Sequence, residues 1–233
     1  MTKDIGPDRS SSVKISPLGL SGTLGLPAGS PTGVILFAHG SGSSRFSPRN
    51  NLVADALRQA GFATLLFDLL TESEAADRGN VFDIALLAER LLLTTAWAQN
   101  FETTKKLPVG FFGASTGAAA ALVAAARLHR AVSAVVSRGG RPDLAGGALP
   151  HVTAPTLLIV GGADLDVLNL NRSALQKLRC ESELKVIAGA THLFEETGAL
   201  EQVVKLARSW FVHHLATVTS GAVDAVREPT RGG

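Results

Sequence analysis

The sequence has very little cysteine and no long apolar run. Cys180 is the one cysteine among 233 residues, so an internal disulfide is impossible and a reducing compartment is favoured. No apolar stretch reaches the ~20 residues needed to cross a bilayer. The opening MTKDIGPDRSSSVKIS lacks the apolar segment of a secretory signal. We therefore expect a cytoplasmic protein with no membrane partner.

The sequence also lacks a concentrated charge of either sign. Its 22 basic and 20 acidic residues give a net charge of +2, and no basic cluster stands out. Nucleic acids and anionic membranes usually require a concentrated basic face, so neither is an expected partner. The length suits one large α/β domain, because no linker rich in Pro, Ser or Gly divides the middle of the chain.

Short apolar runs bounded by turn residues alternate with amphipathic helical segments. This alternation predicts an α/β fold with a mostly parallel sheet, its strands buried on both faces and its helices on both sides. The predicted strands are 33–40, 62–69, 107–113, 131–137, 155–162 and 183–190. The predicted helices are 47–61, 80–100, 115–129, roughly 168–178 and 199–215.

Both ends of the chain differ from this pattern. The segment SVKISPLGLSGTLGLP reads as a hairpin that adds an antiparallel edge to the sheet. We expect a flexible amino terminus over 1–12, one domain over 13–215 and a flexible tail over 216–233, where apolar periodicity is weak.

One strand is followed by a serine between two glycines. The segment GASTG, residues 113–117, matches the pattern GxSxG and stands between a predicted strand and an alanine-rich helix. Small residues at 113 and 117 allow a sharp turn, which holds Ser115 in a strained conformation with its hydroxyl pointing outward. The pattern therefore predicts that Ser115 is a nucleophile.

A serine hydroxyl needs a base and an acid to act at neutral pH. His192 follows the last predicted strand, and Asp164 follows the strand before it. The order Ser, Asp, His at successive strand ends is the one expected for an α/β-hydrolase. Asp166 competes with Asp164 for the acid role, but Asp164 comes sooner after its strand. His39 ends the first central strand, and we interpret it as a loop brace.

A tetrahedral intermediate also needs donors for its negative oxygen. We predict the backbone N–H of Thr116, at the helix start, and that of Ser41, in the loop HGSGSS. The alternative that this loop cradles a phosphate is weaker, because it lacks the Walker lysine and the spaced glycines of a dinucleotide loop.

In combination these segments resemble the α/β-hydrolase superfamily and, within it, the dienelactone hydrolase group. FAHGSGSSRFSPRN, GASTG, GGADLDVLNLN and GATHLFEE carry the resemblance, which covers roughly residues 13–215. The first segment resembles hydrolase domains that are sometimes joined to phosphoribosyltransferase-like domains, and we expect no such second domain in this chain. Dienelactone hydrolases proper use a Cys nucleophile, so Ser115 makes ordinary esters as plausible as lactones.

The predicted pocket is open and small. Only residues 138–154 separate two strands where many relatives insert a lid, so we expect no large lid domain and short-acyl substrates. Arg45, Arg138 and Arg141 are candidates to bind a substrate carboxylate or phosphate, with structural ion pairing as the alternative. We expect apolar residues near the rim: Phe46, Leu69, Leu70, Val167, Leu193 and Phe194.

The function predicted from the sequence is hydrolysis of a small carboxylic ester or lactone through an acyl-enzyme on Ser115. This chemistry needs no metal and no cofactor. Acyl transfer or perhydrolysis on the same residues is one alternative, and a non-catalytic binding module with the same fold is another. The oligomeric state is left open.

Overall fold

The computed structural model describes the backbone of residues 10–224 and, in the last helix, the side chains up to residue 215. These residues form an eight-stranded sheet flanked by helices. The strands are β1 (Ser10–Ile15), β2 (Leu20–Gly25), β3 (Val34–Ala38), β4 (Ala63–Phe67), β5 (Val109–Ala114), β6 (Val132–Arg138), β7 (Thr156–Gly161) and β8 (Ser182–Ile187). The helices are α1 (Pro48–Gln59), α2 (Glu72–Ala75), α3 (Arg78–Phe82), α4 (Ile84–Asn100), α5 (Thr116–Leu128), α6 (Leu165–Leu175) and α7 (Ala199–Asp224). Two 3₁₀ segments, His129–Ala131 and Pro142–His151, precede and follow β6.

The strand order is β1-β2-β4-β3-β5-β6-β7-β8. Strands β3 to β8 pair in parallel, whereas β1 pairs with β2, and β2 with β4, in antiparallel fashion. The predicted antiparallel hairpin at the edge is therefore confirmed. In a parallel sheet the carboxyl ends of the strands lie at one edge, so the loops that follow β3, β5, β6, β7 and β8 meet there.

The core has a layer on each face of the sheet. Helices α1 and α7 cover one face, where Phe37 and Phe112 of the sheet pack with Leu57 and Phe211. Helices α4 and α5 cover the other face. The alanine-rich sequence of α5 explains its position, because side chains of one carbon let a helix lie close to the sheet. Ten of its 13 residues are buried. The expected α/β-hydrolase fold is thus present.

The connection between β6 and β7 contains no large lid. The 3₁₀ segment Pro142–His151 occupies it and packs against α5 and α6. None of the helices in the described part of the chain is long and apolar enough to cross a membrane.

Two local expectations differ from the structure. The predicted helix 80–100 is divided by Asp83, which ends α3 and caps α4 by accepting a hydrogen bond from Leu86 N at 3.0 Å. Strand β8 is at the edge of the sheet and is not buried on both faces, since Glu183, Lys185 and Val186 are exposed. An edge strand lacks a neighbour on one side, which the apolar pattern alone does not reveal.

The predicted end boundaries also move. Residues 10–12 belong to β1, so the expected flexible segment 1–12 is too long, and residues 1–9 lie outside the described part. Helix α7 continues to Asp224, beyond the expected end at 215. Residues 225–233 of the expected tail also lie outside the described part of the chain.

Candidate active site

Ser115 lies in a sharp turn between β5 and α5. Its backbone has φ 50° and ψ −121°, a left-handed conformation that costs a non-glycine residue about 1–3 kcal/mol. Crowding leaves room for no residue larger than glycine at positions 113 and 117. A Cβ at Gly113 would lie 2.4 Å from Ala118 Cα, and one at Gly117 would lie 2.2 Å from the Ala38 carbonyl oxygen. The turn leaves Ser115 partly exposed at the carboxyl edge of the sheet.

Backbone hydrogen bonds tie this turn to the end of β6. Ser115 N donates to Arg138 O at 3.3 Å, and Arg141 N donates to Ser115 O at 3.1 Å. The strained residue is therefore held through both its amide and its carbonyl by the loop 138–141. Such redundant bonding is what allows an unfavourable backbone conformation to persist.

His192 and Asp164 form a close pair at the same edge. Asp164 follows β7 and His192 follows β8, and Nδ1 of the imidazole lies 2.7 Å from Asp164 Oδ2. The competing residue Asp166 is exposed in the first turn of α6. The side chain of His192 is 37 % exposed, so its ring reaches solvent while its Nδ1 side is held by the carboxylate.

The loop that contains Gly139 contacts both His192 and the turn at Ser115. Arg138, the residue before Gly139, bonds Ser115 N, and a Cβ at Gly139 would lie 3.5 Å from His192 Cε1. The imidazole therefore packs on the same short loop that holds the serine backbone. Three residues that are far apart in sequence are thus brought to one edge of the sheet.

The loop after β8 is held by side chains from several directions. Thr191 N donates to Glu196 Oε1 at 3.0 Å, and Arg49 Nη1 on α1 bonds Glu195 Oε1 at 3.1 Å. Phe194 adopts φ 57° and is only 1 % exposed. It is therefore a core residue, and its predicted place near the pocket rim is wrong. Burying this ring anchors the loop that carries His192.

The loop after β3 and the start of α5 are directly connected. Ser41 N donates to Thr116 Oγ1 at 2.9 Å, so the two predicted oxyanion residues are neighbours. The Ser41 amide, however, already has a hydroxyl acceptor. The amide of Thr116 lies at the first position of a helix, where N–H groups have no acceptor within the helix.

His39 braces this loop, as predicted. Its Nε2 accepts from Leu69 N at 3.2 Å, which places the ring proton on Nδ1, where it donates to Gly40 O at 3.0 Å. Burial lowers the pKa of His39 and keeps the ring neutral, as this arrangement requires.

A cavity of about 290 Å³ opens beside Ser41 and Thr116. Its other wall is the segment from Leu69 to Leu87, which contains the short helices α2 and α3. The sequence did not lead us to expect that α2 and α3 form a wall of the cavity. The capping pattern of Thr71 and Glu74 is a signal for α2, and Arg90 of α4 forms an ion pair with Glu74 that fixes the helix.

The predicted rim residues separate into groups. Leu69 and Leu70 line the cavity, and Phe46 and Leu193 are exposed at 66 % and 39 %. Val167 is buried in a small cluster with Val160 and Leu168.

Two of the three candidate arginines are occupied by carboxylates of the chain itself. Arg141 makes bidentate bonds to Asp143 at 2.9 and 2.7 Å. Arg45 pairs with Asp68 through its guanidinium and through its backbone amide, and it lies 4.1 Å from the Phe46 ring centroid. The structural alternative therefore accounts for the contacts that both guanidinium groups make.

Arg138 is different, because its guanidinium bonds a neutral amide. Its Nη2 donates to Asn50 Oδ1 at 3.1 Å, and the side chain lies 5.9 Å from the Phe194 ring centroid. Burial, with a smaller contribution from the nearby charge of Arg49, lowers the pKa of Arg138 to about 10. Arg138 is 6 % exposed and does not line the cavity. Its contacts with Asn50 and Phe194 therefore give it a structural role beside the site.

Comparison with known proteins identifies the group to which this architecture belongs. Residues 20–214 match the model of the dienelactone hydrolase family. The chain belongs to the dienelactone hydrolase family. A solved dienelactone hydrolase from Anabaena variabilis is 55 % identical, covers 89 % of this chain and 98 % of its own, and superposes with a TM-score of 0.84.

Two curated relatives of this family member are much longer proteins. Both come from Mycobacterium tuberculosis and carry the name "putative phosphoribosyl transferase". Each is 58 % identical over 208 residues, which is 89 % of this chain and 47 % of the relative. The chain thus spans about half the length of these curated relatives.

A solved structure of much lower sequence identity shares the fold. Est1E from Butyrivibrio proteoclasticus is 15 % identical, covers 89 % of this chain and 99 % of its own, and has a TM-score of 0.75. At this identity the likeness concerns the fold alone. The fold of this chain is therefore shared with a protein of widely diverged sequence.

Proposed function

We propose that this hydrolase cleaves small carboxylic esters or lactones with Ser115 as nucleophile, His192 as general base and Asp164 as the acid that orients the imidazole. One observation carries the proposal: the 2.7 Å Asp164–His192 pair packs on the loop that bonds the strained backbone of Ser115. A carboxylate on Nδ1 leaves Nε2 free of its proton, which is the state a general base needs.

The proposed reaction proceeds in two halves. Ser115 Oγ attacks the carbonyl carbon, its proton passes to His192 Nε2, and the carbonyl electron pair moves to oxygen. When the tetrahedral intermediate collapses, the C–O bond to the leaving alcohol breaks and His192 gives the alcohol its proton. Water then attacks the acyl-enzyme by the same route and releases the carboxylic acid.

The cavity supports small substrates. Its volume of about 290 Å³ lies just below the range for ligand sites, roughly 300–1,000 Å³. Apolar residues such as Leu69 and Val81 line it together with the polar residues Ser41 and Thr71. We expect turnover to decrease as the acyl chain lengthens, and rates that rise with long chains would contradict this substrate class.

The experiment that tests the function compares wild-type protein with Ser115→Ala. Wild-type protein should hydrolyse p-nitrophenyl acetate and react with a fluorophosphonate probe, and the variant should do neither. Ser12→Ala, in the exposed strand β1, is the matched control and should behave like wild type. Folded wild-type protein that the probe leaves unlabelled would favour the non-catalytic alternative.

The proposal concerns the part of the curated relatives that this chain matches. The name phosphoribosyl transferase belongs to proteins about twice as long, and the matched residues belong to the hydrolase family. The single cysteine, Cys180, remains the reason to propose a reducing compartment, the cytoplasm.

A further inference from the structure

The side chain of Thr116 occupies an unusual place beside the nucleophile. Thr116 is the first residue of the 13-residue helix α5 and is only 5 % exposed. Its Oγ1 lies 2.9 Å from Ser41 N and accepts the hydrogen bond of that amide. The donor expected from the loop after β3 is therefore directed at the threonine hydroxyl.

Thr116 lines the cavity, and its hydroxyl has a proton to donate. A threonine hydroxyl has one proton to donate besides the lone pairs with which it accepts. Among the residues that the structure describes, this hydroxyl accepts a hydrogen bond from Ser41 N and donates none. Thr116 and Ser41 both line the cavity of about 290 Å³. A buried donor without an acceptor is costly, so a group that enters this cavity with a negative oxygen is its natural partner.

We propose that the Thr116 hydroxyl is itself an oxyanion donor, which relays the Ser41 amide. In this arrangement Thr116 supplies two donors, its backbone N–H and its Oγ1–H, while Ser41 N–H polarises the hydroxyl from behind. Hydrogen bonds in such chains strengthen one another. The inference rests on the proposed function, since it describes how the same site stabilises the intermediate formed by Ser115.

The relay moves no proton of its own. As Ser115 Oγ attacks, the carbonyl electron pair moves to oxygen, and this oxygen accepts hydrogen bonds from the two Thr116 donors. The serine proton still passes to His192. When the intermediate collapses the electron pair returns to re-form the carbonyl, and the Thr116 hydroxyl keeps its proton throughout.

The relay and a hole built from two amides predict opposite effects of removing the hydroxyl. If Ser41 N–H binds the oxyanion directly, Thr116→Val frees that amide from its present acceptor, and the rate should hold or rise. If the hydroxyl is the donor, the same change removes it, and kcat should fall by about 100- to 1,000-fold. Thr116→Ser keeps the hydroxyl and should stay within about tenfold of wild type.

The experiment measures kcat and KM for p-nitrophenyl acetate in wild type, Thr116→Val and Thr116→Ser. It also measures inhibition by a methyl trifluoromethyl ketone, which forms a charged tetrahedral adduct with a serine nucleophile. The relay predicts that Thr116→Val lowers kcat with little change in KM and weakens the ketone in parallel. Thr116→Ser should restore both.

Thr95→Val is the matched control, because Thr95 is also a buried helical threonine, whose hydroxyl donates to Leu91 O at 2.8 Å. It should change stability without changing kcat or the ketone affinity. Should Thr116→Val fail to fold, Thr116→Ala removes the same hydroxyl with less bulk, and thermal unfolding identifies which variants are folded.

Two outcomes would overturn the relay: a folded Thr116→Val or Thr116→Ala enzyme with wild-type kcat and ketone affinity, or a Thr116→Ser enzyme as slow as Thr116→Val. Neither outcome touches the proposed function, because Ser115→Ala would still be inactive. Activity that survives in Ser115→Ala would instead refute the proposed function itself.

Discussion

The two halves of the site are held in place by different means. Ser115 is fixed by steric crowding, because the backbones of β3, β5 and α5 leave no room for side chains at Gly113 and Gly117. His192 is fixed by single side-chain hydrogen bonds, which Asp164 accepts from its ring and Glu196 accepts from the backbone of its loop. The nucleophile half should therefore be intolerant of any added atom, and the histidine half should lose function stepwise as single contacts are removed.

The largest effect is expected from removing the negative charge of Asp164. Asp164→Asn should lower kcat by about 10⁴-fold, because an amide no longer fixes the required tautomer or stabilises the imidazolium. Steady-state hydrolysis of p-nitrophenyl acetate measures the change. Asp166→Asn, on the exposed first turn of α6, is the matched control and should be close to wild type. The reverse pattern would transfer the acid role to Asp166.

Crowding on the nucleophile side predicts a large loss of stability. A methyl group at Gly117 would lie 2.2 Å from Ala38 O and 2.4 Å from His39 O, and backbone atoms cannot move aside cheaply. Gly117→Ala should lower the free energy of unfolding by about 3 kcal/mol or more. Urea unfolding gives the value. Gly147→Ala, where a methyl group meets nothing within 4 Å, should be nearly neutral. Equal stabilities would show that the turn is not held by crowding.

A smaller effect is expected from one contact on the histidine side. Glu196 Oε1 accepts from Thr191 N, the amide next to His192. Glu196→Ala removes this acceptor and should lower kcat a few-fold with little change in KM, because the imidazole loses part of its orientation. Glu196→Gln retains an acceptor oxygen and should recover most of the rate. A loss of the same size in both variants would point to the charge of Glu196 and not to positioning.

The same contrast explains what the sequence revealed. Ser115, Asp164 and His192 are recognisable because each follows a strand and their chain order matches a known pattern. Secondary structure and chain order together therefore predict that they lie at one edge of the sheet. The hydrogen bond from Ser41 N to Thr116 Oγ1 depends on one rotamer, and the burial of Arg138 and Phe194 depends on contacts with α1 and the sheet. Such long-range choices leave no periodic signal in the sequence.

The smallest effect is expected from His39, which braces the loop after β3. Neutral His39 accepts from Leu69 N, and burial lowers its pKa in the folded protein below the ordinary value of about 6.5. The unfolded chain therefore binds more protons between the two pKa values, so stability is fully present above about pH 6.5 and decreases as the pH falls through the folded pKa.

In His39→Gln an amide can make the same two hydrogen bonds without titrating. The variant should lose less stability than wild type when the pH is lowered from about 7.5 to about 5.5, measured as the difference in the free energy of unfolding in urea. His129→Gln is the control, because His129 lies at the end of α5 away from this loop, and it should follow the wild-type pH dependence. If His39→Gln showed the full wild-type loss, the acid sensitivity would originate elsewhere, and the loop would not depend on a neutral ring.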